Sequence, residues 1–259
     1  MTRRTHTVNW DGVWSGVDNT LISKDAYYLM DEMKMKYLGP LLPVTTGRVL
    51  EVGIGSGRIS CFLSAKGYHS VGIDLSEDAL RVARNNFRIA GVSGTLVKGD
   101  AHILPFHRDS FDLVMSTGLL EHFDDPLPIV TEMVRVLKRG GLFYSDIVPR
   151  KFSLYRSLDF INISRLIGRP QRYDPVDIYE RGFKKGEIAH ILTRAGCENV
   201  VVFPMGVFLP SKLFRKRLGT DRYEYQICRV LAAISRHIDR TWIAEILGFF
   251  YFAYGRKPQ

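Results

Sequence analysis

Between residues 47 and 148, short apolar runs alternate with stretches of helical periodicity. Val49, Leu50 and Val52 form a compact run of the kind buried on both faces of a parallel sheet. Comparable runs recur at 70–76, 95–101, 110–117 and 142–143. Amphipathic stretches separate them. Ile59, Phe62 and Leu63 open one; Ser76, an N-cap candidate, opens another with Ala79 and Leu80. Between 126 and 138, Ile129, Met133, Val134 and Leu137 make an apolar stripe at helical spacing, and Gly140-Gly141 reads as the stop of that helix. Strands alternating with helices predict an α/β fold with parallel pairing and right-handed crossovers. Before this block, Ser23 is placed to cap a helix running to about Leu38, ended by Pro40 and Pro43. Trp10 and Trp14 precede it, and core packing is the favoured role for both over lining a cavity. After the block come a helix over 184–196, a strand over 199–203 and a basic helical stretch over about 210–240.

The ends of the apolar runs carry the chemistry. The first passes directly into Gly53-Ile54-Gly55-Ser56-Gly57, led by Glu51. Glycines permit a tight turn and let a ligand approach with no Cβ in the way, while the following helix start leaves N–H groups facing the same spot. The second run ends in Asp74, 21 residues after Gly53, a spacing at which an acid reaches ribose hydroxyls in a βαβ unit. The third ends Gly99-Asp100-Ala101. Together these point to a nucleotide-like ligand. A dinucleotide fingerprint needs a third glycine at position 58, which is Arg58 here.

The order Glu-Val-Gly-x-Gly-x-Gly, Gly-Ile-Asp, Gly-Asp-Ala, Phe-Asp-Leu-Val, Leu-Glu-His and Arg-Val-Leu-Lys-x-Gly-Gly resembles the class I S-adenosylmethionine-dependent methyltransferases, in the group that includes ubiquinone and menaquinone biosynthesis enzymes. The likeness covers residues 47–148 and, more loosely, 183–203 and 247–258. It implies a Rossmann-like seven-stranded sheet, mostly parallel with an antiparallel last strand at 247–258, and helices on both faces. It further implies four parts: an N-terminal helical cap (1–46), a cofactor-binding core (47–148), a lid-like insertion (149–183), and a C-terminal part (184–259) that completes the sheet and carries a basic helical insertion. The implied cofactor is S-adenosyl-L-methionine, the methyl donor. Carried over residue by residue, Glu51, Gly53, Gly55 and Gly57 hold its methionine end. Asp74 binds the ribose and Leu75 lies against the adenine. Asp100 accepts from the adenine amino group, with the Ala101 backbone on the ring edge, and Thr117 lines the sulfonium pocket.

The acceptor is less sharply marked. His122 follows Glu121 just after the fourth strand and is the candidate general base, with capping of the following loop as the rival role. Similar quinone O-methyltransferases bind a metal through Glu-x-x-Glu-His; here the first position is Gly118, and no metal is expected.

Charge divides the chain. Residues 1–147 hold 16 Lys/Arg against 17 Asp/Glu, whereas residues 148–259 hold 20 against 10. The basic half, with the aromatic-basic insertion 149–183, fits an anionic or partly apolar small-molecule acceptor under a lid, peripheral contact with an anionic membrane, or simple solubility. A nucleic-acid acceptor is a weaker rival, because Ser116-Thr117-Gly118-Leu119 stands where base-amino methyltransferases carry Asn/Asp-Pro-Pro-Tyr/Phe. A non-catalytic methyltransferase-like scaffold is weaker still, since every acidic and glycine position is intact. The start lacks an apolar signal region and no run of about 18 apolar residues occurs, so a cytoplasmic protein with reduced Cys61, Cys197 and Cys228 is expected.

Overall fold

The computed structural model describes residues 9–17, 26–42, 46–149, 181–206 and 224–259. Ser23, Pro43, the bulk of the 149–183 insertion and residues 207–223 lie outside the described residues.

Seven strands form one sheet in the order β3-β2-β1-β4-β5-β7-β6. They are β1 (Arg48–Val52), β2 (His69–Asp74), β3 (Thr95–Lys98), β4 (Phe111–Thr117), β5 (Leu137–Ile147), β6 (Glu198–Met205) and β7 (Phe250–Arg256). β1 to β5 pair in parallel, and β7 runs antiparallel between β5 and β6. The Rossmann-like sheet with an antiparallel last strand is therefore the observed architecture.

Eight α-helices are described: α1 (Trp10–Trp14), α2 (Ala26–Leu38), α3 (Arg58–Ala65), α4 (Glu77–Ile89), α5 (Leu127–Val136), α6 (Lys185–Arg194), α7 (Glu224–Ile238) and α8 (Trp242–Leu247). α5 and α6 cover one face with Ile129, Val130, Met133, Ile188 and Leu192, packed on Leu50, Val52, Val114 and Phe143. α2 and α3 cover the other with Met33, Leu38, Ile59 and Leu63, packed on Val49, Met115 and Phe252. Coverage of both faces is why the central strands read as continuous apolar runs rather than alternating ones. Ser76 caps α4 as expected, its hydroxyl accepting from the Ala79 N–H at 3.1 Å.

One boundary differs from expectation. α5 ends at Val136 and β5 begins at Leu137, before the glycines. Gly140, at φ +71°, sits where the register between β4 and β5 slips, and its N–H donates to the Lys257 carbonyl at 2.9 Å. The end of α5 is secured instead by the Lys257 ammonium, which donates to the carbonyls of Val134, Arg135 and Leu137 at 2.8–3.2 Å. A cation on the last carbonyls of a helix does the work expected of a glycine stop. That partner lies 120 residues away, beyond the reach of a local pattern.

The chain leaves β3 at one edge and returns to place β4 beside β1. In an open α/β sheet a crevice forms where the order reverses, outside the carboxyl ends of the strands. The β1 and β4 ends carry the glycine turn and the segment Thr117–His122.

Candidate cofactor and acceptor site

The turn after β1 is built on backbone. The N–H groups of Gly53 and Ile54 both donate to the Ile73 carbonyl, at 2.8 and 3.0 Å, and hook the turn over the end of β2. Gly53 and Gly55 have φ of +66° and +51°, a region costly for residues with a Cβ. A Cβ on Gly53 would lie 2.7 Å from Leu119, and one on Gly55 would lie 2.8 Å from the Trp14 indole. Both glycines therefore keep the wall of a cavity open.

That cavity measures about 270 Å³, near the lower end of common ligand sites. Its wall includes Gly53, Gly55, Asp74, Leu75, Asp100, Ala101, Thr117 and His122. Residues spread over 70 positions thus meet in one crevice. Asp74 accepts from the Gly55 N–H at 2.9 Å through one oxygen and from the Ser76 N–H at 3.0 Å through the other. Burial nonetheless pushes its carboxyl above the ordinary range. Leu75 stands at the rim, 56% exposed. Asp100 engages His102 through Oδ1, from the backbone N–H at 2.9 Å and with the ring Nδ1 at 2.8 Å. Partial burial opposes ionisation of Asp100, yet the His102 contacts hold its carboxyl below the usual range.

Glu51 and Gly57 lie behind the wall rather than on it. Glu51 accepts from Ser60 Oγ at 2.6 Å and from Thr117 Oγ1 at 3.0 Å, tying the start of α3 to the end of β4. It is 1% exposed, and burial pushes its carboxyl up to about 7. Gly57 is the left-handed N-cap of α3, where a Cβ would press on Ile54 and Ala83. Both support the turn from the core side, since the alternation along β1 turns Glu51 to the α3 face.

A second buried network reaches the opposite lip of the cavity. Asp146, at the end of β5, accepts from the Gly118 N–H at 2.8 Å and pairs with Lys34 of α2. Asp31, one turn earlier on α2, pairs with Arg58 at the start of α3. Burial opposes the charge on Lys34, but Asp146 and Asp31 outweigh it and raise its pKa. Two ion pairs from one helix thus hold both lips: the glycine turn through Arg58, and the segment after β4 through Asp146. No local sequence signal marks this strut, because its members come from α2, α3 and β5.

The N-terminal tryptophans correct the sequence reading. Trp10 and Trp14 line the cavity instead of packing in the core. Asn9 caps α1, its side chain accepting from the Gly12 N–H at 3.1 Å, which sets the two indoles four residues apart on one side. Asp11, between them, accepts from the Ser76 hydroxyl at 2.6 Å and pins α1 to the start of α4. Asp11 and His102 went unmarked in the sequence, since a single exposed Asp or His has no distinguishing pattern.

His122 ends a 3-10 turn over Leu120–His122, with its N–H donating to the Leu119 carbonyl at 3.1 Å. Its ring meets the Trp10 ring edge-to-face at 4.8 Å on the cavity wall. Gly118 uses a φ of +65° to turn the chain there. Among the described residues, no group of three or more His, Cys, Asp and Glu side chains is placed to hold a metal ion.

A glycine turn, acids at successive strand ends and a crevice at the switch point define a nucleotide-binding protein of the Rossmann-like class. Residues 50–145 match the family model described as a methyltransferase domain. A ubiquinone biosynthesis O-methyltransferase from Thiobacillus denitrificans is 29% identical over 196 residues, covering 74% of this chain and 82% of the relative. A protein of the same name from Aromatoleum aromaticum is 31% identical over 177 residues, covering 67% of this chain and 73% of that one. In fold, the chain is similar to a Thermotoga maritima S-adenosylmethionine-dependent methyltransferase described as a possible histamine N-methyltransferase, with a TM-score of 0.58, 24% identity, and 90% and 91% of the two chains covered. The chain belongs to the S-adenosylmethionine-dependent methyltransferases, and S-adenosyl-L-methionine is its methyl donor.

Proposed function

We propose that this enzyme methylates a hydroxyl oxygen on a small, partly apolar acceptor, with His122 as the general base. The observation that carries the reading is the placing of His122 on the same cavity wall as the glycine turn, against Trp10 and beside Leu119 and Phe123. The relatives in ubiquinone biosynthesis, named as O-methyltransferases, support oxygen as the target.

The residues fit the donor. Gly53 and Gly55 leave the space that a Cβ would fill, and receive the methionine end. Asp74 keeps lone pairs for ribose hydroxyls, with Leu75 at the rim as the adenine wall. Asp100 Oδ2 takes no hydrogen bond among the described residues, which leaves it for the adenine amino group beside the Ala101 backbone. Thr117, held by Glu51, lines the sulfonium side, and Glu51 and Gly57 act from behind by fixing the turn. When bound, S-adenosylmethionine supplies a methyl on positive sulfur, so the protein need only align the acceptor and remove one proton. Trp10 and Trp14 exclude water and present flat apolar surface to the acceptor. His122 takes the hydroxyl proton as the oxygen gains its methyl.

Titration calorimetry with S-adenosylhomocysteine, together with turnover on a small, partly apolar, hydroxyl-bearing acceptor, tests both halves. Asp74→Ala removes a charged hydrogen bond worth about 1.5–3 kcal/mol, raising Kd roughly 10- to 150-fold. His122→Ala lowers kcat roughly 10²- to 10⁴-fold while Kd for S-adenosylhomocysteine stays within about twofold. An unchanged kcat in the His122 variant would sink the base assignment without touching the cofactor site.

A further inference from the structure

The acid at the end of β3 stands at the open side of the cavity, on backbone that is fixed. The Gly99 N–H donates to the Asp74 carbonyl at 2.9 Å, tying the turn to the end of β2. The Ile103 N–H donates to the Asp100 carbonyl at 3.1 Å and closes the turn. Leu104 is buried, and its N–H donates to Glu132 on α5 at 3.2 Å. With both ends of the turn anchored, the freedom left to Asp100 is rotation of its side chain. That side chain is 56% exposed, so packing does little to restrain it.

His102 supplies the restraint. Asp100 Oδ1 accepts from the His102 backbone N–H at 2.9 Å, and the ring Nδ1 lies 2.8 Å from the same oxygen. One backbone donor leaves a carboxylate free to pivot about the contact; a second donor on that oxygen removes the pivot. The two contacts hold the Asp100 carboxyl below its usual range. An ionised carboxylate only accepts, so the imidazole carries its proton on Nδ1. The ring is held in turn by Phe123, which it meets edge-to-face at 5.3 Å. Phe123 follows His122, and Asp100, His102, His122 and Phe123 all line the cavity. Oδ2 takes no hydrogen bond among the described residues and is the acceptor left over.

We propose that His102 is a positioning residue for the cofactor's base: by fixing Oδ1 of Asp100 it presents Oδ2 to the adenine amino group. It thereby sets the preference of the site for adenine over a base with a carbonyl at that position. The inference rests on the reading of Asp100 as the acceptor of the adenine amino group. Nδ1 is committed to Asp100, so His102 acts through the carboxylate. A base carbonyl facing Oδ2 would set acceptor against acceptor and leave both unpaired. Such discrimination is sharp only while the carboxylate is held in one orientation, because a carboxylate free to turn away escapes the repulsion.

Titration calorimetry with two ligands tests this: S-adenosylhomocysteine, and S-inosylhomocysteine, in which a carbonyl replaces the amino group. Wild type binds the first about tenfold or more tighter than the second. His102→Ala lowers that ratio roughly 3- to 10-fold, the cost of ordering a freed side chain at binding. The loss falls on S-adenosylhomocysteine, and affinity for the inosine analogue stays within about twofold of wild type. His102→Asn, whose amide nitrogen can stand where Nδ1 stands, keeps the wild-type ratio within about twofold. In the Asp100→Ala background, His102→Ala changes the ratio no further. An unchanged ratio in His102→Ala overturns the proposal. So do equal losses for both ligands, which would mark a general packing role, and an Asn variant as indiscriminate as the Ala one. Equal affinities of wild type for the two ligands would instead remove the Asp100–adenine reading itself, and the positioning role with it.

Discussion

On the side of the sheet covered by α5 and α6, the core is hydrocarbon almost throughout, with Leu50, Val52, Val114, Phe143, Ile129 and Met133 fully buried against one another. On the side covered by α2 and α3, the same sheet buries five ionisable groups near its carboxyl edge: Asp31, Lys34, Glu51, Arg58 and Asp146, each no more than 9% exposed. The Tyr144 hydroxyl lies in the same region, buried with no hydrogen-bond partner among the described residues. The charges of Asp146, Asp31 and Glu51 add to burial in holding its pKa well above the usual value. Buried charges lose hydration, and an apolar replacement of similar volume is often no less stable. Their placing indicates what they contribute. They sit where the glycine turn and the Gly118 segment need fixed positions, and they supply directional contacts that close-packed hydrocarbon lacks. The apolar face holds the sheet together; the ionic face sets the width of the crevice.

The largest expected effect separates these two tasks. Asp146→Leu leaves Lys34 buried with its principal partner gone and Gly118 without its acceptor, costing about 3–5 kcal/mol. Phe143→Ala, on the apolar face, costs a similar 3–5 kcal/mol through the cavity it leaves. Urea denaturation measures both losses. Titration with S-adenosylhomocysteine then distinguishes them: affinity falls in the Asp146 variant and holds in the Phe143 variant. Equal affinities in the two would dissolve the distinction between the faces. Adding Lys34→Met to Asp146→Leu restores most of the stability but not the affinity.

A somewhat smaller effect concerns pH. Burial pushes the Glu51 carboxyl from the ordinary glutamate range up to about 7, with the Ser60 and Thr117 hydrogen bonds offsetting only part of it. A folded-state pKa above the unfolded one means that folding favours the protonated form. The associated stability is complete below the unfolded value near 4.5 and is lost as pH rises through about 7. Its size is about 3 kcal/mol. The difference in unfolding free energy between wild type and Glu51→Gln therefore changes by that amount between pH 4 and pH 8. A flat difference would place the Glu51 titration outside this window.

The smallest effect calibrates the others. Lys185 and Glu245 form an ion pair at 3.3 Å with side chains 50% and 40% exposed. Lys185→Ala is expected to cost about 1 kcal/mol or less and to lose that difference in high salt. A cost comparable to that of Asp146→Leu would remove burial as the reason the ionic face matters.

The fold was readable where the pattern is local. The strand runs around Val49–Val52 and Phe111–Thr117, the Ser76 cap and the closing strand near Phe250–Arg256 all appear in the structure near their expected places. Most of the cavity wall was readable for the same reason, since a glycine or an acid at a strand end is a feature of a few adjacent residues. The readings that changed involve partners distant in sequence: the end of α5 and the tryptophans.

The sequence by itself determined the alternation of strands and helices, the glycine turn and the acids at Asp74 and Asp100. Each is encoded by backbone preference and side-chain periodicity over a dozen residues or fewer. Only the tertiary structure decided that Glu51 faces the core, that α1 brings Trp10 to His122, and that α2 braces both lips of the crevice through Arg58 and Asp146. Those contacts join segments up to 112 positions apart. Their partners are chosen by which faces the packed sheet and helices bring together, and no spacing along the chain records that choice.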